Sequence, residues 1–144
     1  MTTVIFACVH NAGRSQMAAA FFQRLADPAL ARAVSAGTQP GPRVHPEVQA
    51  AMAELGIDLS GATPRRLTEA LATEAGWLVT MGCGEACPVV PDLRREDWPL
   101  PDPKGQPMPR VREIRDEVEA RVAAFVAAQG WARAGSAEGA GSGG

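Results

Sequence analysis

The run Val4-Ile5-Phe6-Ala7-Cys8-Val9 is apolar at every position and passes directly into His10-Asn11-Ala12-Gly13-Arg14-Ser15. A strand that alternates apolar and polar residues has one face in water, whereas one that is apolar throughout is buried on both faces and belongs in a covered sheet. A short Gly-containing loop and then a helical pattern follow it. The first thirty residues therefore demand a strand, a tight loop and a helix packed back on that strand, which is the start of a parallel α/β architecture.

The rest of the chain keeps this rhythm. Thr3–Val9 reads as the first strand, and 15–25 as a helix with Met17, Phe21 and Leu25 on one face, stopped by Asp27-Pro28. Residues 33–36 form a short second strand closed by Gly37 and a Pro/Gly-rich loop. Pro46 occupies a first-turn position, with Val48, Met52 and Leu55 at helical spacing before Gly56. A further helix is expected over 67–75, a third strand over 77–81 and a fourth over 93–98. In the last helix Val111, Ile114, Val118, Val122 and Phe125 make one apolar stripe, and Arg112/Asp116, Arg115/Glu119 and Glu117/Arg121 are spaced to pair on the outside. Residues 132–144 are Gly, Ala and Ser with little else and read as a disordered tail, leaving one domain over 1–131. Strands separated by helices give a parallel sheet with right-handed crossovers and helices on both faces. Ligands bind such sheets at the carboxyl ends of the strands, and Cys8 lies at one of these ends.

Composition narrows the partners. Net charge is −2 with no basic stripe, which argues against nucleic acid and anionic membranes. No apolar stretch approaches the ~18 residues of a membrane span, and no leader-like segment opens the sequence, so a cytoplasmic protein is expected. Three cysteines are an odd number in a compartment that keeps thiols reduced, which leaves catalytic, redox, metal-binding or merely buried roles.

Taken alone, Cys8 fits a small buried hydrophobe at a strand end. Its surroundings argue otherwise. Asn11 and Gly13 tolerate the backbone angles of a tight cradle. The guanidinium of Arg14 can grip two oxygens of an anion. Ser15 can cap the following helix and donate its hydroxyl to the sulfur. A helix N-terminus, an arginine and a ring of peptide N–H groups over 8–14 (Cys8, Val9, His10, Asn11, Ala12, Gly13 and Arg14) all favour negative charge, hence a thiolate and a tetrahedral oxyanion. The loop lacks the Gly-Lys-Ser/Thr of a nucleotide P-loop. His10 either assists the thiolate or faces solvent, and His45 reads as a cap of the second helix.

Cys-x5-Arg-Ser followed by Gln16-Met17-Ala18 resembles the low-molecular-weight phosphotyrosine phosphatase fold, and more narrowly the thioredoxin-coupled arsenate reductases built on it. Ser35-Ala36-Gly37, Val44-His45-Pro46, Gly56-Ile57-Asp58, Thr80-Met81-Gly82-Cys83, Cys87-Pro88, Asp97-Trp98 and Asp102-Pro103 extend the resemblance over about 3–128. It implies a four-stranded parallel sheet in the order 2-1-3-4. It also implies reduction of arsenate to arsenite, a detoxification reaction, with phosphate and sulfate as competing oxyanions and no tightly bound cofactor. Cys8 is then the nucleophile, Asp102 the acid that protonates the departing oxygen, and Cys83 and Cys87 the resolving thiols. Zinc needs about four ligands, and no second cysteine pair accompanies Cys83 and Cys87, so no metal site is expected. Helical spacing of four would bring their Cα atoms to ~6 Å, within disulfide range. The position matched to an acidic potassium ligand in some relatives is Ala19, which implies no tight potassium site here.

Three rivals remain in the sequence. A phosphatase of this branch places tyrosines around its site; this chain has none, although Trp98 could form one aromatic wall, and weak phosphatase side activity fits the same nucleophile. A small-thiol, glutaredoxin-type reductase would leave the extra cysteines idle, and Cys83-Gly84-Glu85-Ala86-Cys87 is shorter than the spacing associated with the thioredoxin-linked branch. An oxyanion sensor would explain neither Asp102 nor the cysteine pair.

Overall fold

The computed structural model describes residues 1–81 and 93–133. In chain order it contains β1 (Thr2–Cys8), α1 (Arg14–Leu25), β2 (Ala31–Gly37), α2 (Pro46–Ala53), α3 (Glu69–Thr73), β3 (Trp77–Thr80), β4 (Arg94–Asp97) and α4 (Met108–Gln129). The strands form one parallel sheet in the order β2-β1-β3-β4, as the resemblance implies.

The fully apolar first run becomes a central strand because both of its faces are covered. Val4, Phe6 and Cys8 point into a core shared with Met17 and Phe21 of α1, Met52 of α2 and Val118 of α4. Ile5 and Ala7 point the other way, onto Leu67, Leu78 and Ala72 of α3. Three helices therefore cover one face and the single-turn α3 the other. Helix α3 is shorter than the expected 67–75. Thr68 sets its start by accepting a hydrogen bond from Leu71 N at 3.1 Å, and Leu67 belongs instead to the strand-like segment bonded to Gly37 O. Helix α4 begins at Met108, with a proline in its first turn where the missing N–H has no intrahelical partner, and ends at Gly130 with φ +76.

The charged face of α4 does not pair as its spacing predicts. Of the three expected pairs only Glu117–Arg121 forms, at 3.4 Å. Arg112 instead makes a two-pronged contact with Glu54 at the end of α2, and Arg115 donates to Glu54 and Ala51 O, each at 2.8 Å, and to Asp116 at 2.9 Å. A carboxylate on a neighbouring helix that offers both oxygens to planar forks wins over a same-helix partner one turn away. The chain also stays docked past the expected boundary at 131. Asp27 N donates to Trp131 O, Ala132 bridges Ala26, and Arg133 N donates to Leu25 O. Residues 134–144 of the expected tail lie outside the described residues.

Candidate active site

Strand β1 ends at Cys8 and helix α1 starts at Arg14, so five residues must turn the chain from the sheet into the helix. Asn11 takes φ +52, a left-handed conformation that Asn tolerates. Gly13 is the N-cap of α1 with φ −142, and its lack of a Cβ serves packing instead: a Cβ there would lie 3.0 Å from Cγ of Pro103. Gly37, paired beside Cys8 in the sheet, is required more strictly. A Cβ there would meet Val9 O at 2.6 Å and Asn11 N at 2.8 Å, so β2 runs directly beneath the loop.

The loop's carbonyl groups are all engaged on the scaffold side. Cys8 O accepts from Thr38 N, Val9 O from Gln39 N, His10 O from Gly41 N, Asn11 O from Gln16 Nε2, Ala12 O from His45 N and Gly13 O from Met17 N. Among the described residues no peptide bond is cis. In a trans peptide the N–H points opposite to the C=O, so the N–H groups of Val9, His10, Asn11, Ala12, Gly13 and Arg14 are directed away from these partners. Amides turned away from such partners are the positive dipole ends that an anion-binding loop requires.

Cys8 is a free, buried thiol whose Sγ lies 2.9 Å from Ser15 Oγ. Asn11 Nδ2 donates to the same Oγ at 2.8 Å. The serine oxygen thus lies between the Asn11 amide and the Cys8 sulfur, and its own O–H can be given to sulfur when the sulfur acts as acceptor. Ser15 is not the helix cap: α1 begins at Arg14, which makes Gly13 the N-cap, without any side-chain cap. Asn11 is fully buried and also accepts from Arg65 N at 2.9 Å and Gln16 Nε2 at 3.2 Å. The sequence marked Asn11 for its backbone and Gln16 only as part of the family motif, and passed over Arg65. Nothing in spacing alone shows that a residue 54 positions away donates to that amide.

Arg14 lies at the first turn of α1, with Nη1 donating to Leu100 O at 2.9 Å and Nη2 3.8 Å from Asp102 Oδ2. The carboxylate expected to serve as the acid thus stands beside the arginine, exposed where the arginine is buried. His45 begins α2 through its backbone, with no side-chain cap, and burial pushes its imidazole below the ordinary value against the pull of Glu47 and Asp102. His10 is part-exposed in the loop. Trp98 forms no wall at the site: it is buried against Phe6 and Phe125, its Nε1 donating to Glu96. Among the described residues no group of three or more His, Cys, Asp or Glu side chains is gathered to hold a metal. Cys83 and Cys87 lie outside the described residues.

A buried cysteine at the end of the central parallel strand, an amide-lined loop and an Arg-Ser helix start define a class. Residues 3–133 match the low molecular weight phosphotyrosine protein phosphatase family, and the chain belongs to it. Within that family it is 44% identical over 125 residues to a putative arsenate reductase of Halobacterium salinarum, covering 81% of this chain and 85% of that one. It is 37% identical over 130 residues to the glutaredoxin arsenate reductase of Synechocystis, covering 88% and 98%. Among solved structures it is similar to the thioredoxin-dependent arsenate reductase of Corynebacterium glutamicum, with 34% identity and a TM-score of 0.77. That match covers 89% of this chain and 61% of the larger one.

Proposed function

We propose that the chain reduces arsenate to arsenite through a relay of cysteine thiols. The observation that carries the reading is the contact of Cys8 with Ser15 at 2.9 Å at the two ends of a loop whose carbonyls over 8–13 are all hydrogen-bonded to other groups. That arrangement suits a thiolate attacking a tetrahedral oxyanion. The loop amides and Arg14 hold the oxygens, and phosphate or sulfate compete for the same cradle.

Cys8 thiolate attacks arsenic(V), forming an S–As bond as an As–O bond breaks; Asp102 gives the departing oxygen its proton and water leaves. Cys83 thiolate then attacks the Cys8 sulfur. The S–As electron pair returns to arsenic, which leaves as arsenite, and a Cys8–Cys83 disulfide remains. Cys87 attacks Cys83, which frees Cys8 and carries the oxidation to a Cys83–Cys87 disulfide. Thioredoxin reduces that disulfide and no tightly bound cofactor takes part. The structural neighbour named as thioredoxin-dependent supports this donor, and the Synechocystis relative named for glutaredoxin supports a second reading with a small thiol.

A phosphatase vocation is disfavoured by the lack of tyrosine and by the burial of Trp98, which leave no aromatic wall from either residue for a phosphotyrosine ring. The same thiolate is compatible with weak phosphatase side activity. No described helix is long and apolar enough to cross a membrane, and the chemistry needs the thiols reduced, as they are in a cytoplasm.

Arsenate-dependent NADPH oxidation with thioredoxin and thioredoxin reductase tests the reading, comparing wild type with Cys8→Ser, Cys83→Ser and Cys87→Ser. Loss of multiple turnover in all three supports the relay. Full activity of Cys87→Ser sinks it and favours the small-thiol route, and faster hydrolysis of an aryl phosphate than reduction of arsenate moves the chain to the phosphatase branch.

A further inference from the structure

Asp102 is an exposed residue in a Pro-rich loop, yet a proton donor must be held to within a fraction of an ångström of the atom it protonates. Besides the 3.8 Å approach of Arg14 to the Asp102 carboxylate, four contacts fix the turn that carries it. Asp102 Oδ1 accepts from Lys104 N at 3.0 Å, and Gln106 N donates to Pro103 O at 3.1 Å. Pro103 is buried against Gly13, close enough that a Cβ on the glycine would lie 3.0 Å from its Cγ. The fourth contact comes from another element: Glu47, in the first turn of α2, accepts from Gly105 N at 2.9 Å. Gly105 sits at φ +73, a conformation that glycine adopts freely, so without a partner for its N–H this end of the turn has many alternatives.

We infer that Glu47 is a positioning residue that sets Asp102 over the Cys8 loop by pinning the 102–105 turn to the start of α2. This rests on the reading of Asp102 as the acid. Helix α2 is a suitable anchor because the same first turn is already tied to the anion loop, His45 N donating to Ala12 O at 2.9 Å. One rigid corner thus holds both the loop that binds the oxyanion and the turn that protonates it. The Gly105 N–H, and after it the backbone N–H of Glu47 itself, hold the Glu47 carboxyl below the usual carboxylate range, so the side chain is an acceptor throughout the neutral range. Since Glu47 reaches Gly105 and not the reacting atoms, its removal acts through the placement of Asp102 and leaves oxyanion binding in place.

The test is a single turnover of pre-reduced, desalted full-length protein with arsenate, following the rate of arsenite release against arsenate concentration. Wild type, Glu47→Ala, Glu47→Gln, Asp102→Asn and the Glu47→Ala/Asp102→Asn double variant are compared, with thermal unfolding of each. Asp102→Asn should lower the maximal rate by ~100-fold, as loss of a general acid does. Glu47→Ala should lower it by roughly tenfold or more with half-saturating arsenate within about twofold of wild type. Glu47→Gln keeps an acceptor oxygen and should restore the rate to within about twofold. The double variant should be no slower than Asp102→Asn alone. Two results overturn the inference while leaving the acid in place: a wild-type rate for Glu47→Ala, or a Glu47 effect that persists undiminished in the Asp102→Asn background. A wild-type rate for Asp102→Asn overturns the acid reading itself, and this inference with it.

Discussion

Cys8 Sγ and Ser15 Oγ lie 2.9 Å apart, and the amide of Asn11 occupies the serine oxygen from the other side at 2.8 Å. The three residues come from the end of a strand, the turn and the first turn of a helix, so the hydroxyl is oriented by the fold itself. On the proposed mechanism, replacing Ser15 by Ala removes one hydrogen bond to the attacking thiolate, worth about 1.5 kcal/mol or roughly a tenfold change. Ser15→Ala should slow alkylation of Cys8 by iodoacetamide at neutral pH by about that factor, followed at the Cys8 peptide by mass spectrometry. Equal rates in the two proteins would place the hydroxyl outside the chemistry.

Gly37 lies under the loop with no room for a methyl group. Gly37→Ala must push Val9 and Asn11 upward, at a cost of about 1–3 kcal/mol for an overpacked site. The expected outcome is a lower denaturant midpoint together with loss of the thermal protection that added phosphate gives to wild type. Protection of the variant to the wild-type extent would show that the loop accommodates the extra carbon.

Glu54 joins α2 to α4 through Arg112 and Arg115, whose hydrogen bonds lower its carboxyl to about 2. A carboxyl depressed in the folded protein binds fewer protons than in the unfolded chain. Its contribution is therefore present above the unfolded value of 4.5 and is lost as the pH falls toward about 2. Glu54→Gln should flatten the decline of the denaturant midpoint across that window and change little between pH 6 and 8 in the slope of stability with pH. The same slope in both proteins would mean that the pair is screened by solvent.

Phe125 is the aromatic hub of the large core, with ring centroids 5.1 Å from Trp77, 5.8 Å from Trp98 and 5.7 Å from Trp131. Phe125→Ala should cost about 3–5 kcal/mol. Chemical denaturation followed by tryptophan fluorescence measures it directly, because all three indoles lose the same neighbour. A loss under about 1 kcal/mol would show that the core collapses around the gap.

The architecture is legible in the sequence because burial imposes it locally. A strand apolar at every position cannot face water, and the spacing of Val111 to Phe125 cannot serve a strand, so the order of elements follows from pattern alone. The position of Cys8 is legible for the same reason, since a parallel strand must end where the chain turns. What escapes is whatever joins distant positions. Glu54 draws Arg112 and Arg115 away from partners on their own helix, and Arg65 N reaches Asn11 across 54 residues. The need for Gly37 appears only once β2 is laid under the loop, and the helix cap is Gly13 because the helix begins at Arg14, one residue before the expected start.

The relay itself is tested most directly by one turnover without any electron donor. Pre-reduced, desalted protein is mixed anaerobically with excess arsenate, and arsenite, free thiols and disulfide-linked peptides are counted. The account predicts about one arsenite per chain, a Cys83–Cys87 disulfide and a free Cys8 in wild type. Cys87→Ser should stop at a Cys8–Cys83 disulfide, and Cys8→Ser should release no arsenite. Arsenite from Cys8→Ser at the wild-type yield, or a wild-type protein that keeps all three thiols until a small thiol is added, would contradict it.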